Sequence, residues 1–147
     1  MRHLGRVIVR VASDGTEVAE ALELRRRVFS GEQGIRREAD EDGRDHRALH
    51  IIAFEDGALV GTCRMIVVGD VAMLGRLAVE QEDRWRGVGR AVLEEAERSA
   101  LEAGASRIAL HSQIPVREFY EKSGYLAYGD VFVEEGIEHV AMEKDLA

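Results

Sequence analysis

Apolar and polar positions change period several times along the chain, and each change predicts an element. Residues 7–12, VIVRVA, are β-branched and read as a first strand, after which Ser13 and Asp14 supply capping chemistry. Val18, Ala21, Leu22, Val28 and Phe29 recur at helical spacing and predict an amphipathic helix ending near Ser30. Between residues 31 and 47 the period dissolves into GEQGIRREADEDGRDHR, a long charged loop with room for one short helical piece. Loops of this length in compact domains are often functional.

LHIIAFEDGALVGTCRMIVV is two apolar runs joined by Glu55-Asp56-Gly57, a β-hairpin pattern. After Gly69-Asp70, VAMLGRLAV predicts a strand over 71–79. Gly87 to Ala103 predicts a helix with the stripe Val88, Val92, Ala96 and Ala100, stopped by Gly104. SRIALHS is the next strand, and Pro115 opens a short helix through Tyr120 to about Lys122. Two final strands turn at Glu135-Gly136. The order β-α-loop-β-β-β-α-β-α-β-β, without a repeat or linker, implies one domain over residues 1–147, a mixed α/β sheet with helices on its faces.

Composition narrows the partners. A chain of 147 residues with 46% apolar content can bury a single core. The net charge of −8 argues against nucleic acid and suits a cationic or amine-bearing partner. Cys63 has no internal disulfide partner, which fits a reducing cytoplasm, and within VGTCRMIVV it reads as a small buried hydrophobe. No apolar stretch approaches the ~20 residues of a membrane span, so no membrane partner is expected. MRHLGRVIVRVAS lacks the uninterrupted apolar core of a secretory signal.

The most informative stretch is EDRWRGVGRAVL. It places three arginines and two glycines where a strand turns into a helix. The first N–H groups of a helix lack internal partners, and with the helix dipole they make an anion site. Gly87 and Gly89 remove side chains that would hold an anion off that backbone, and Arg84, Arg86 and Arg90 add positive charge. A pyrophosphate suits this description, whereas a glycine-loosened helix start with solvated arginines is the plainer alternative. The P-loop pattern is missing, and G-x-G-x-x-G fails because Val92 stands at its last position.

GRLAVEQEDRWRGVGRAVL resembles the central motif of the GNAT superfamily of N-acetyltransferases, a strand followed by Arg/Gln-x-x-Gly-x-Gly/Ala and a helix. QIPVREFYEKSGY is similar to a second family segment, with Tyr120 and Gly124 matching, Gln113 for an asparagine, Val116 for an alanine and Tyr125 for a phenylalanine. RRRVFSGEQGI, ADEDGRD before His50, and EEGIEHVAM look like the ElaA-like branch. The resemblance implies a mostly antiparallel central sheet with helices on both faces. It implies acetyl-CoA as co-substrate, its pyrophosphate held by the backbone of Trp85, Arg86, Gly87, Val88, Gly89 and Arg90, with Arg84 opening the motif and Gln113 and Phe119 nearby. The free edge of Leu77, Ala78 and Val79 would pair with the pantetheine arm.

The resemblance assigns Tyr120 to protonate the departing thiolate; a ring anchoring its helix to the sheet is the structural alternative. The glutamate that serves some members as base falls on Met73, which cannot accept a proton. Glu32, beside the acidic loop, and His111, of the residue type whose ordinary pKa of ~6.5 suits a base, are the candidates that remain. Arg76 interrupts an apolar strand and demands a partner, which the acidic loop can provide. Otherwise Glu38, Asp40, Glu41, Asp42 and Asp45 form a negative lip for a cationic amine, or a solvated charge run.

No metal is expected: His46 and His50 are spaced like a zinc pair but run into a strand, with Arg47 where glutamate is needed. Three functions stay open at this point. They are acetyl transfer to a small-molecule or peptide amine, transfer of a longer acyl group as in acyl-homoserine-lactone synthases, and a silent acyl-CoA-binding domain. Edge strands at the C-terminal hairpin leave a homodimer open.

Overall fold

The computed structural model describes residues 6–84 and 87–146, apart from the side chains of residues 38 and 39. Its elements are β1 (Val7–Val11), α1 (Gly15–Arg25), α2 (Arg37–Asp40), β2 (Leu49–Glu55), β3 (Ala58–Val68), β4 (Val71–Val79), α3 (Val88–Glu102), β5 (Arg107–Gln113), α4 (Arg117–Lys122), β6 (Leu126–Glu134) and β7 (Ile137–Asp145). The strands form one seven-stranded sheet in the order β1-β2-β3-β4-β5-β7-β6. Every pairing is antiparallel except β4 with β5. This is the mixed, mostly antiparallel architecture the sequence implies.

Local chemistry fixes the first helix. The Asp14 side chain accepts from the Glu17 amide at 2.9 Å and caps α1. The apolar spacing places its end near Ser30, but helical structure runs on to Glu32 and changes kind on the way. Arg26–Glu32 is a π-helix, whose wider turn continues into Gln33 N–H donating to Val28 C=O at 3.2 Å. Apolar residues three and four apart are compatible with either turn, so the pattern predicts a helix without revealing the wider one.

Strand alternation sorts side chains between two helical layers. Cys63 and Met65 join the core under α3 with Ile51, Leu74, Ile108 and Leu110, and Arg64 between them turns to the other face. That core receives the predicted α3 stripe of Val88, Val92, Ala96 and Ala100. On the opposite face, Leu24 and Val28 pack on Ala78. Gly61 lets α3 sit close, because a Cβ there would stand 2.9 Å from Val88 Cγ1.

One irregularity positions the site. β4 pairs with β5 only at Val71↔Arg107, Ala72↔Ile108 and Met73↔Ala109. Beyond that point β4 stays with β3 and β5 with β7, so the two strands diverge. The divergence begins beside a bulge, where the β3–β4 register slips between Thr62 and Arg64. Arg76 in that bulge has φ +57°, a left-handed conformation that a non-glycine residue adopts at a cost. A bulge bends its strand, and here it turns β4 away from β5.

Candidate active site

The split between β4 and β5 has two walls and two helical ends. On the β4 wall, residues 74–79 have no partner toward β5, so alternate amides and carbonyls face the gap. Among the described residues, nothing lies within 4 Å of where a Cβ of Gly75 would stand. At the head of β4, α3 starts from Gly87, whose φ of +86° needs glycine. No side chain among the described residues caps it, so the amides of its first turn carry the polarity of an anion site. A Cβ on Gly89 would point between Phe119 and Val79, at 3.5 and 3.7 Å. The second glycine therefore keeps open the gap between the head of β4 and α4.

At the head of β5, α4 carries Tyr120, 6% exposed, with edge-on contacts to Phe119 (5.1 Å) and Tyr125 (5.8 Å). Its hydroxyl makes no hydrogen bond among the described residues. Burial pushes its phenol well above the ordinary tyrosine range, and the neighbouring Cys63 thiol adds to the rise. The thiol itself is pushed up to about 12 by complete burial, which removes it as a nucleophile.

On the face away from α3, the acidic loop is consumed by arginines. Arg25, 0% exposed, donates to Asp40 Oδ1 at 3.2 and 3.3 Å, to the Asp40 carbonyl at 2.8 Å and to Asp45 at 2.6 Å. Arg64 grips Asp42 at 2.5 and 2.7 Å and reaches Asp45 at 3.2 Å. Arg76 reaches the Asp40 carbonyl at 3.3 Å and Asp42 at 3.4 Å. Arg64 holds the Asp42 carboxyl well below the usual range. At Asp45 burial pushes upward, but Arg25 and Arg64 together outweigh it and the net shift is down. Desolvation, then repulsion from Arg64, lowers Arg76.

This corrects the expectation of a negative lip. Asp40, Asp42 and Asp45 neutralise three buried or half-buried guanidiniums, and Glu41 is taken by Arg26 and Arg37. The Glu38 side chain lies outside the described residues. The loop's work is structural: Asp40 and Asp42 hold Arg76 in the bulge that opens the split.

Arg84 is also committed. Its Nε donates to the Val79 carbonyl at 3.0 Å, and its two terminal nitrogens grip Glu32 at 3.0 and 2.8 Å. It ties the end of β4 to the end of the π-helix, and the ion pair of Arg27 with Glu80 ties the same region to the start of that helix. The guanidinium is therefore not a free phosphate ligand, and Glu32, with both oxygens engaged, is not a free base. Arg90 pairs along its own helix with Glu94. Trp85 and Arg86, which the sequence places in the cradle, lie outside the described residues. Among the described residues of that turn, the backbone amides of residues 87–90 are what is left for an anion.

His111 stands elsewhere. It is two residues beyond the last β4–β5 pair, level with Gly75 if that register is extended, and on the face opposite Leu110. It is 47% exposed, and its Nδ1 lies 2.8 Å from Glu134 Oε1. Gln113, further along the same face, donates to Gln33 at 2.9 Å. Met73, beside Ala109, is 41% exposed and offers only a thioether.

With this geometry in place, likeness to known proteins becomes specific. Residues 15–146 match the family model described as Acetyltransferase (GNAT) domain. The chain belongs to the GNAT family. Among curated relatives, the uncharacterized protein YyaT of Bacillus subtilis is 35% identical, over 89% of this chain and 90% of its own. The crystal structure of Escherichia coli ElaA superposes with a TM-score of 0.84 at 22% identity, over 95% of this chain and 100% of that one. An aminoglycoside 6'-N-acetyltransferase complexed with coenzyme A superposes with a TM-score of 0.77 at 18% identity, covering 95% and 97%. These structural matches establish the GNAT fold.

Several residues escaped the sequence reading. Arg25 occupies the apolar face of α1, four residues after Ala21 and three before Val28, and Arg64 interrupts an apolar strand as Arg76 does. Both carried the signal of a cation in a buried position. Glu134 carried none, because its nearness to His111 depends on strands more than 20 residues apart. Among the described residues no His/Cys/Asp/Glu group could hold a metal, and no helix is long and apolar enough to cross a membrane.

Proposed function

We propose that this chain, acting as one domain in the cytoplasm, is an acetyl-CoA-dependent N-acetyltransferase. Its acceptor is a primary amine of a small molecule or peptide, which attacks directly within a ternary complex. One observation carries the reading: the β4–β5 split opens between an uncapped, glycine-started helix and a buried tyrosine. The amides of residues 88–90 suit a diphosphate, and the unpaired edge of Leu77–Val79 suits an amide-bearing arm. Bound there, acetyl-CoA supplies an activated acyl thioester.

The protein's own groups divide the remaining work. A free alkylamine has a pKa of ~10 and must lose a proton to react, and His111 at the mouth of the split takes it. An outward amide of β4 donates to the carbonyl oxygen as charge gathers on it. The C–N bond forms and the C–S bond breaks; the second proton of the attacking nitrogen, shed as the amide forms, ends on the departing thiolate, to which the Tyr120 hydroxyl donates a hydrogen bond. Its raised pKa keeps that phenol protonated at working pH. The same rise makes a buried phenolate costly, which favours a donated hydrogen bond over complete transfer.

Thiol release from acetyl-CoA across alkylamines, aminoglycosides and peptides tests the activity, and silence across the panel would refute it. Gly89→Glu is expected to weaken coenzyme A binding by about 100-fold, ~2.7 kcal/mol. The new carboxylate would occupy the gap between Phe119 and Val79 beside the anion site. Calorimetry returning an undiminished affinity would remove the cofactor from that corner.

A further inference from the structure

We propose that Glu134 is a positioning residue for the reaction: it fixes the His111 imidazole in the tautomer whose Nε2 lone pair accepts the amine proton. The proposal rests on the transfer reading above and adds the group that prepares its base. It comes from a contact between β5 and the outer strand β6.

The Glu134 carboxylate can only accept, so the 2.8 Å contact places hydrogen on His111 Nδ1. A neutral imidazole carries one N–H, and Nε2 is left as the acceptor. Unrestrained, a histidine at this edge would rotate and exchange tautomers. Both partners are about half exposed, 47% and 46%, and an isolated surface pair of that kind is worth little.

Four further contacts set this pair apart. The Phe132 ring stands edge-on to His111, with centroids 4.9 Å apart at 77°. His139, 8% exposed, stacks on Phe132 at 5.9 Å and 20°. The Nδ1 of His139 donates to the Ile137 carbonyl at 2.8 Å, which turns its Nε2 toward Glu134 Oε2, 4.0 Å away. Each oxygen of Glu134 thus faces an imidazole, and the Phe132 ring touches both imidazoles.

The hairpin carrying Glu134 is pinned in turn. Arg36, in the segment after the π-helix, grips Glu135 at 3.0 and 3.1 Å, and Gln33 holds Gln113 on β5. The segment that follows the first helix therefore spans to both strands bearing the His111–Glu134 pair. A carboxylate behind an imidazole is the arrangement that orients a general base, and Nε2 is the nitrogen it leaves for the amine.

Two measurements test this. In ¹⁵N-resolved NMR spectra of the full chain, neutral His111 is expected as the Nδ1–H tautomer, reverting to a mixture in Glu134→Gln. That readout needs no acceptor. With spermidine, or the best alkylamine of the panel, Glu134→Gln is expected to lower kcat by about 10- to 100-fold with little change in KM. Glu134→Gln combined with His111→Gln is expected to cost no more than His111→Gln alone. A tautomer independent of residue 134, or additive losses, would overturn the positioning role. His111→Gln retaining the parent kcat would overturn the base assignment itself, whatever the tautomer. If Glu134→Gln lowers the melting temperature, Phe132→Leu supplies the second variant: the proposal requires it to reduce kcat and disturb the His111 tautomer.

Discussion

Arg25→Met is expected to lower the unfolding free energy by about 3–5 kcal/mol, a large part of the 5–15 kcal/mol that holds a typical domain. Methionine fits the volume but leaves Asp40, 3% exposed, with Arg76 as its remaining cation among the described residues, and takes the 2.6 Å contact from Asp45. Truncating one member of a buried ion pair costs more than the pair contributes, because the other charge stays desolvated. Urea unfolding at neutral pH checks this, and a loss under about 1 kcal/mol would mean the cluster is hydrated. The same variant is expected to loosen the acyl site, since Asp40 and Asp42 also hold Arg76 in its bulge.

Acid should act on the same network. Asp42 and Asp45 titrate below their ordinary values, so the stability they contribute is complete above the unfolded carboxylate range near pH ~4. It is lost as the pH falls through their lower native values. Asp42→Asn is expected to be less stable at pH 7 and to lose less stability between pH 4 and pH 2. An unchanged slope over that interval would remove Asp42 from the acid response.

Tyr120→Phe is expected to reduce kcat by about 10²-fold while coenzyme A affinity and melting temperature stay near the parent values. The ring contacts with Phe119 and Tyr125 survive the substitution, and no hydrogen bond of the hydroxyl among the described residues is lost. Only the hydrogen offered to the departing sulfur disappears. Thiol release at the parent rate would reduce Tyr120 to an anchor between α4 and the sheet. A fall in both turnover and cofactor affinity would instead indicate a disturbed helix.

Much of this is legible in the chain itself. Strand and helix boundaries follow from local periodicity, Gly87 and Gly104 from the left-handed turns they make, and the α3 stripe from its four-residue spacing. The sequence of 84–90 also announces an anion cradle, because uncapped amides and missing side chains are local properties. Roles that depend on what a side chain meets are another matter. Arg84 has the composition of a phosphate ligand, yet it is bound to Glu32, 52 residues away. The acidic loop reads as a lip for cations because its arginine partners sit on α1, β3 and β4. Glu134 acquires meaning only when β5, β7 and β6 come together around Phe132.

The sequence by itself determined the order of elements, the glycine-started helix and the family, since each rests on neighbours within a turn or a strand. The tertiary structure alone decided which charges are spent on one another and which remain for chemistry. Charge pairing depends on distances of a few ångströms between segments that are far apart along the chain, and only the folded sheet sets them.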